Sequence, residues 1–340
     1  MTAPRVSIII VNWNGCHHLA ECLDSLAVQS YRDFEVVLVD NGSHDGSVAF
    51  VQAGYAAVKV VPLVENTGFA QGNNLGFAVA QGEYLVTLNN DTRTEPGWLA
   101  ALVAAADADP RIGMVASRIG SYADPDRLDS IGVALCRDGM SRAAYSQQRF
   151  STLNLSGVID ILLPSACAAL YRRTMLDEIG GFDEDFFAYC EDTDLGLRGR
   201  LAGWRAVAAL DAVVLHKYSQ TGGAISPFKL RLVERNHYWV AIKNFSWPLL
   251  LLLPLTSLGR LFWQGRTFLF GGWHGPRATT APRSGALLAA MVLGCGAAFL
   301  GAPRMLARRW RTPRRLSGSD WRQLLRRYRL SFRELFAEVE

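Results

Sequence analysis

Several signatures that would settle a function at once are missing from this 340-residue sequence. No G-x-G-x-x-G follows the first apolar run, which argues against a dinucleotide oxidoreductase, and no G-x-x-x-x-G-K-[ST] is present, which argues against a P-loop NTPase. The six cysteines (Cys16, Cys22, Cys136, Cys167, Cys190, Cys295) contain no C-x-x-C pair and no zinc-ligand spacing. They fit scattered, reduced core thiols of a cytosolic protein. The first apolar run, residues 6–11, is too short for the core of a secretory signal, so none is expected. No internal repeat is visible.

What is present is ample apolar material, with half the residues hydrophobic, enough for one large domain or two smaller ones. The net charge of +4 hides an uneven distribution. Residues 304–329 hold ten arginines against one acid, Asp320, while the chain before about residue 225 is balanced or acidic. That asymmetry points to an anionic partner for the C-terminal end, a lipid surface or a nucleic acid.

Along the chain, β-branched runs at 6–11 and 34–39 read as buried strands of a parallel sheet, joined by a helix whose apolar face is Leu19, Cys22, Leu23 and Leu26. A third strand is expected at 58–63 and a fourth at 83–88, with a glycine-rich loop and helix at 68–80 between them. Pro96 opens a helix reaching about residue 106, and 112–116 is another strand. Residues 118–160 read as loops and a short hairpin. Strands are expected at 159–163, 166–171, 205–210 and 212–216, and a helix at 192–202 closed by Gly203. The fold class is therefore α/β with a mixed, mostly parallel sheet.

Polar motifs collect at the carboxyl ends of these strands, where α/β sheets bind ligands. They are Asn12-Trp13-Asn14, Asp40-Asn41-Gly42-Ser43, the Gly68 loop, and Asn89-Asn90-Asp91. Singly, each is an ordinary turn as often as not; four on one edge suggest nucleotide binding. An acid at a strand end accepts from a base N–H or a ribose hydroxyl, N–H groups at a helix N-terminus favour phosphate, and Asp91 is placed to hold a divalent ion. Later, Glu191, Asp192 and Asp194 crowd into four positions beside Phe186, Phe187 and Tyr189. Such a cluster serves a metal, a moving proton or substrate hydroxyls, or it is a solvated helix start. Trp204, just past the acidic segment, reads as core packing before it reads as a stacking surface.

These stretches, with Asn66-Thr67-Gly68-Phe69-Ala70, Asn73-Asn74 and Gly180-Gly181-Phe182-Asp183, occur in the order seen in one family. Over roughly residues 5–220 the sequence resembles the inverting family 2 glycosyltransferases with a GT-A fold, a Rossmann-like nucleotide-sugar-binding architecture, and especially the bacterial rhamnosyltransferase-like branch. The resemblance implies donor binding by Val11, Asn12, Trp13, Asp40, Asn66, Gly68, Asn74 and Asn90. It implies Asp192 as general base, with Glu191 orienting the acceptor and Asp194 supporting the helix. Asn89-Asn90-Asp91 stands where the family has its DxD-type motif, so the implied ligands of a divalent metal, Mn2+ or Mg2+, are Asp91 and His216. The implied partners are a nucleotide-sugar donor, with dTDP-L-rhamnose leading, and a saccharide or polyprenyl-linked saccharide acceptor, but no nucleic acid.

Residues 1–223 are thus read as the catalytic domain and 224–340 as a helical, membrane-associated, Arg-rich region. An amphipathic helix is expected at 228–244, and the Leu- and Pro-rich stretch 247–258 reads as an in-plane segment. Residues 285–303 carry no charge over nearly a bilayer's thickness until Pro303, so one span is possible there. The expected location is the cytoplasmic face of the cell membrane. A sugar-phosphate nucleotidyltransferase is the alternative enzyme, but Asn12 to Cys16 lacks the basic residues its loop needs; a nonenzymatic membrane-bound nucleotide-sugar binder is the other alternative.

Overall fold

The computed structural model describes residues 3–217, 226–270 and 284–336. They fall into two compact units, residues 1–133 with 143–218 and residues 134–142 with 219–340. The boundary expected between 223 and 224 lies outside the described residues. The segment 134–142, read from sequence as part of the first domain, groups with the C-terminal unit.

The first unit alternates strand and helix: β1 (Val6–Asn12), α1 (Cys16–Ala27), β2 (Phe34–Asp40), α2 (Ser47–Gly54), β3 (Val58–Pro62), α3 (Gly68–Val79), β4 (Tyr84–Leu88), β5 (Thr92–Thr94), α4 (Trp98–Asp107) and β6 (Ile112–Ser121). There follow β7 (Leu128–Ser130), then β8 (Val133–Leu135) and β9 (Ser141–Ala143), most of whose residues belong to the second unit, and then β10 (Val158–Asp160), β11 (Ala168–Arg172), α5 (Arg173–Ile179), α6 (Glu191–Leu201) and β12 (Arg205–His216). The main sheet runs β10-β12-β6-β11-β4-β1-β2-β3, with β5 on β12 and β7 on β6, while β8 and β9 pair separately. Strands β4, β1, β2 and β3 are parallel, as are β6 and β12. Strand β11 runs antiparallel between β4 and β6.

Strand β1 is covered on both faces, which is why its sequence is a continuous apolar run rather than an alternating one. Ile8 and Ile10 pack with Leu19, Trp98 and Leu102 of α1 and α4. Ile9 faces the other core, with Phe77 of α3, Met175 of α5 and Leu195 of α6. Helix α3 approaches β1 closely, and a Cβ at Gly72 would come within 2.9 Å of Val11 Cγ1. The glycines of this segment therefore serve packing as well as the loop.

The two strands expected at 205–210 and 212–216 are one strand. Its pairing with β6 shifts between Ala209 and Val213, a bulge that leaves Asp211 exposed and interrupts the apolar pattern. Helices α2 and α5, each of two turns, are too short for a periodic signal and were not expected.

The second unit contains α7 (Pro227–Asn244), α8 (Trp247–Leu251), α9 (Leu253–Phe270), α10 (Ser284–Arg309), α11 (Gly318–Arg327) and α12 (Phe332–Phe336). Ser226 caps α7 by accepting from Lys229 N at 3.1 Å. The uncharged stretch 285–303 lies wholly within α10, which is long and apolar enough to cross a membrane by length and composition.

Candidate active site

The order β4-β1-β2 makes β1 the strand from which connections leave in both directions, so a crevice forms at its carboxyl end. Asn12, its last residue, is fully buried and ties the neighbouring strand ends together. Its Nδ2 donates to Asp40 Oδ1 at 3.0 Å, and its Oδ1 accepts from Asn90 Nδ2 at 2.7 Å. A Cβ at Gly15 would come within 2.7 Å of Asn12 Oδ1, so this turn tolerates only glycine over the amide pair. Asp40 Oδ2 accepts from Ser43 N at 3.0 Å, fixing the turn after β2. Val11 is partly buried beside this edge, and Trp13 stands open to solvent with 41% of its surface exposed.

Asn41 organises the next wall, although the sequence reading gave it no role of its own. Its Nδ2 donates to Asn66 Oδ1 and Gly68 O at 3.0 and 3.1 Å, and its Oδ1 accepts from Thr67 N at 2.9 Å. Gly68 has φ +88°, and a Cβ there would lie 2.5 Å from Phe187 O. The glycine loop thus abuts the aromatic end of the acidic segment. Asn74 sits elsewhere: its amide is bonded on both sides to Phe182 backbone, at 2.9 Å each. It anchors the Gly180-Gly181 turn to α3.

The acidic segment is held by an unusual backbone. Phe187, Tyr189 and Cys190 all have positive φ (64°, 70°, 65°), a conformation that costs roughly 1–3 kcal/mol per non-glycine residue. It delivers Glu191 and Asp192 to the first turn of α6. Asp194 is turned inward, paired with Arg198 at 2.8 Å, and Arg198 in turn donates to Ile179 O and Gly181 O. This buried bridge supports the helix, the role expected of Asp194. Trp204 packs against the core and donates to Glu178 Oε2 at 2.8 Å.

Glu191 and Asp192 occupy different environments. Glu191 is buried and its Oε2 has no hydrogen-bond partner. Burial, and then the neighbouring Asp192 charge, push its carboxyl well above the usual range. Asp192 is half-buried, and burial raises its carboxyl too. But its oxygens accept from Ala166 N at 3.2 Å, Thr193 N at 2.6 Å and Thr193 Oγ1 at 3.2 Å, all of which favour the anion. The surroundings therefore favour the anion more at Asp192 than at Glu191, whose carboxyl is pushed further up by burial and by the Asp192 charge.

On the other side of the crevice, β5 pairs with the end of β12 and brings His216 opposite Thr92. His216 Nε2 is 3.3 Å from Asp91 Oδ1, and Nδ1 is 2.7 Å from Asp129 Oδ2. Burial opposes the imidazolium, but Cys167, Asp129 and Asp91 outweigh it and lift His216 above its ordinary value. Asp91 is correspondingly held below the usual carboxylate range by His216, against the effect of its own burial. Asp129 was not anticipated from the sequence, because it lies on the three-residue β7 inside a stretch with no periodic pattern.

The residues fit a divalent ion in one specific sense. Adjacent ligands of an octahedral ion bound at about 2.1 Å are separated by about 3 Å, close to the Asp91–His216 spacing. A histidine ligand ordinarily gives its other N–H to a carboxylate, the position Asp129 holds. Among the described residues no three His, Cys, Asp or Glu side chains are arranged to hold a metal alone. Two protein ligands with the remainder from a diphosphate is the usual arrangement for such ions.

Comparison with known proteins agrees with this architecture. The family model described as glycosyl transferase family 2 matches residues 7–180, just over half of the chain. An N-acetylglucosaminyl-diphospho-decaprenol L-rhamnosyltransferase of Mycobacterium tuberculosis is 28% identical over 271 residues, covering 71% of this chain and 85% of that protein. Among solved structures, a mannosyltransferase of Pyrobaculum calidifontis in complex with GDP-Man and Mn2+ aligns over 98% of this chain and 88% of its own, with a TM-score of 0.53 and 20% identity. GalNAc-T7 with UDP, GalNAc and Mn2+ aligns over 71% of this chain and 48% of its own, with a TM-score of 0.58 and 18% identity. At those identities the structures speak for the shared GT-A fold. The chain belongs to glycosyltransferase family 2 and is a glycosyltransferase.

Proposed function

We propose that the protein moves a sugar, with L-rhamnose from dTDP-L-rhamnose as the leading donor, onto a hydroxyl of a saccharide or polyprenyl-linked saccharide during cell-surface polysaccharide assembly. The reaction is placed at the cytoplasmic face of the cell membrane, with residues 224–340 meeting the lipid. The name of the mycobacterial relative supports both the donor and the lipid-linked acceptor. The observation that carries the chemistry is Asp192, a hydrogen-bonded, half-open carboxylate held at the end of a left-handed backbone run.

The transfer is a single displacement. The acceptor O–H gives its proton to Asp192 as its oxygen forms a bond to the anomeric carbon. The bond from that carbon to the diphosphate oxygen breaks on the opposite face, its electron pair leaves with the nucleoside diphosphate, and the anomeric configuration inverts. Asp40 and the Asn12–Trp13 turn hold base and ribose, while Asn66, Gly68 and Asn90 line the donor pocket. Asn74 contributes through the turn it anchors. Asp91 and His216 would hold a divalent ion, Mn2+ or Mg2+, which supplies positive charge to the leaving diphosphate when bound.

The test is a thermal-shift screen of dTDP-, UDP- and GDP-sugars with Mn2+ or Mg2+, followed by turnover of Asp192→Asn with the donor that stabilises most. The variant should keep the donor-induced shift and lose about 10²–10⁴-fold in turnover, the range for removal of a general base. Unchanged turnover would remove Asp192 from this role, and no shift with any deoxythymidine-linked sugar would remove rhamnose as the leading donor.

A further inference from the structure

Helix α10 has the length of a membrane span, but its inner face is committed to a polar helix. Ala290, Gly294, Ala298 and Met305, with the half-buried Gly301, form an inward stripe at helical spacing. A Cβ at Gly294 would lie 2.7 Å from Arg231 O and 2.8 Å from Glu234 Cβ, and one at Gly301 would touch the Trp239 ring at 2.5 Å. Trp239 Nε1 donates to Ala298 O at 3.1 Å, and Arg309 donates to Ile242 O and Lys243 O at the far end. The partners advance together, 231 to 243 against 294 to 309. Helices α7 and α10 therefore run parallel, side by side, for about 20 Å at 1.5 Å per residue. A spanning α10 would carry Arg231, Glu234 and Arg235, which lie beside its uncharged stretch, into hydrocarbon with it, where charged side chains are costly.

The outward faces are of the opposite character. On α10, Val292, Leu293, Phe299 and Leu300 are exposed, the last two with 81% of their surface open. Helix α9 repeats the pattern. Arg260 points inward, bidentate on Glu234 of α7 at 2.9 and 2.8 Å and bonded to Asp138 at 2.7 Å, while Leu255, Leu258 and Phe262 point outward. Helix α10 thus lies along α7, Arg260 ties α9 to it, and both helices present leucine and phenylalanine on the side away from these contacts. Trp247 and Trp310, 6.4 Å apart and both at least half exposed, stand at the end of this apolar face, with Arg309 4.8 Å over the Trp247 ring. The exposed Arg311, Arg326 and Arg327 follow. Apolar face, tryptophans and then arginines is the order of a surface that meets one anionic leaflet.

We propose that α9 and α10 form an in-plane platform seated in one leaflet of an anionic phospholipid bilayer, and that α10 does not cross it. The inference deepens the membrane reading given above and decides the topology that reading leaves open.

Two measurements on the full chain test it. Gly285→Cys and Arg311→Cys place thiols at the two ends of α10, and labelling by a membrane-impermeant maleimide in inverted vesicles is read as the increase over the parent chain. Both ends should label without detergent. Protection of one end until detergent is added would overturn the platform in favour of a span, while leaving membrane association intact. In flotation, Phe299→Glu combined with Leu300→Glu should reduce capture by phosphatidylglycerol-containing vesicles at least tenfold, and the parent chain should float poorly with phosphatidylcholine alone. Equal flotation of variant and parent would overturn the platform. Labelling and flotation need no acceptor, so they fail or succeed separately from the glycosyl-transfer chemistry.

Discussion

At the scale of single residues, the division of labour proposed for Glu191 and Asp192 rests on their surroundings rather than on their chemistry. Both are carboxylic acids at the start of α6, yet Asp192 accepts from Ala166 N, Thr193 N and Thr193 Oγ1, all favouring its anion, while Glu191 Oε2 is buried without a partner. Burial still lifts the Asp192 carboxyl above its ordinary range, with a definite consequence for pH dependence. A general base works as the carboxylate. Transfer should therefore be full above the raised pKa and be lost as pH falls through it, placing the acid limb above that of an ordinary aspartate. Thr193→Val removes one donor to the anion and should move that limb to still higher pH, with turnover on the alkaline plateau little changed. A pH–kcat profile checks this, and an unmoved limb would assign the titration to another group.

Whole elements explain how distant residues become neighbours. Asp91, Asp129 and His216 belong to three chain segments and meet because β5 and β12 pair as β7 lies against β6. If Asp129 positions His216, Asp129→Asn should weaken Mn2+ binding to the nucleotide-loaded protein by about 10–100-fold, the usual cost of losing such a partner. Nucleotide binding without metal should not change. Titration calorimetry reads both quantities, and an unaltered Mn2+ affinity would reduce Asp129 to a structural residue. The same elements show what was legible in the sequence. Long β-branched strands announced themselves, so Asn12, Asp40 and Asn90 were found at their ends, and the structure joins these three by hydrogen bonds. Asp129 was hidden because a three-residue strand in a polar stretch has no period to detect. The inward turn of Asn74 was hidden too, since sequence gives a side chain's chemistry but not the direction in which it points.

For the molecule as a whole, the instructive feature is that its units are not consecutive in sequence. Residues 134–142 interrupt the first unit yet belong to the C-terminal one. Within that second unit Leu135, Cys136 and Asp138 are buried, Asp138 by its bond to Arg260, and Leu135 pairs with Leu330 N at 2.9 Å. A chain ending at residue 217 would keep this segment and lose its partners Arg260 and Leu330. Each large apolar side chain so exposed forfeits about 1.5–3 kcal/mol, and the aspartate loses its arginine. Truncation alone should therefore give a protein that is shed from membranes but aggregates and melts early. Truncation combined with replacement of 134–142 by a short Gly-Ser turn should restore a monomer with a sharp thermal transition. Light scattering and calorimetry on the two truncated chains decide the matter. If the intact segment melts no lower than its replacement, residues 134–142 carry no dependence on the second unit, and the catalytic unit ends where a simple reading of the sequence would end it.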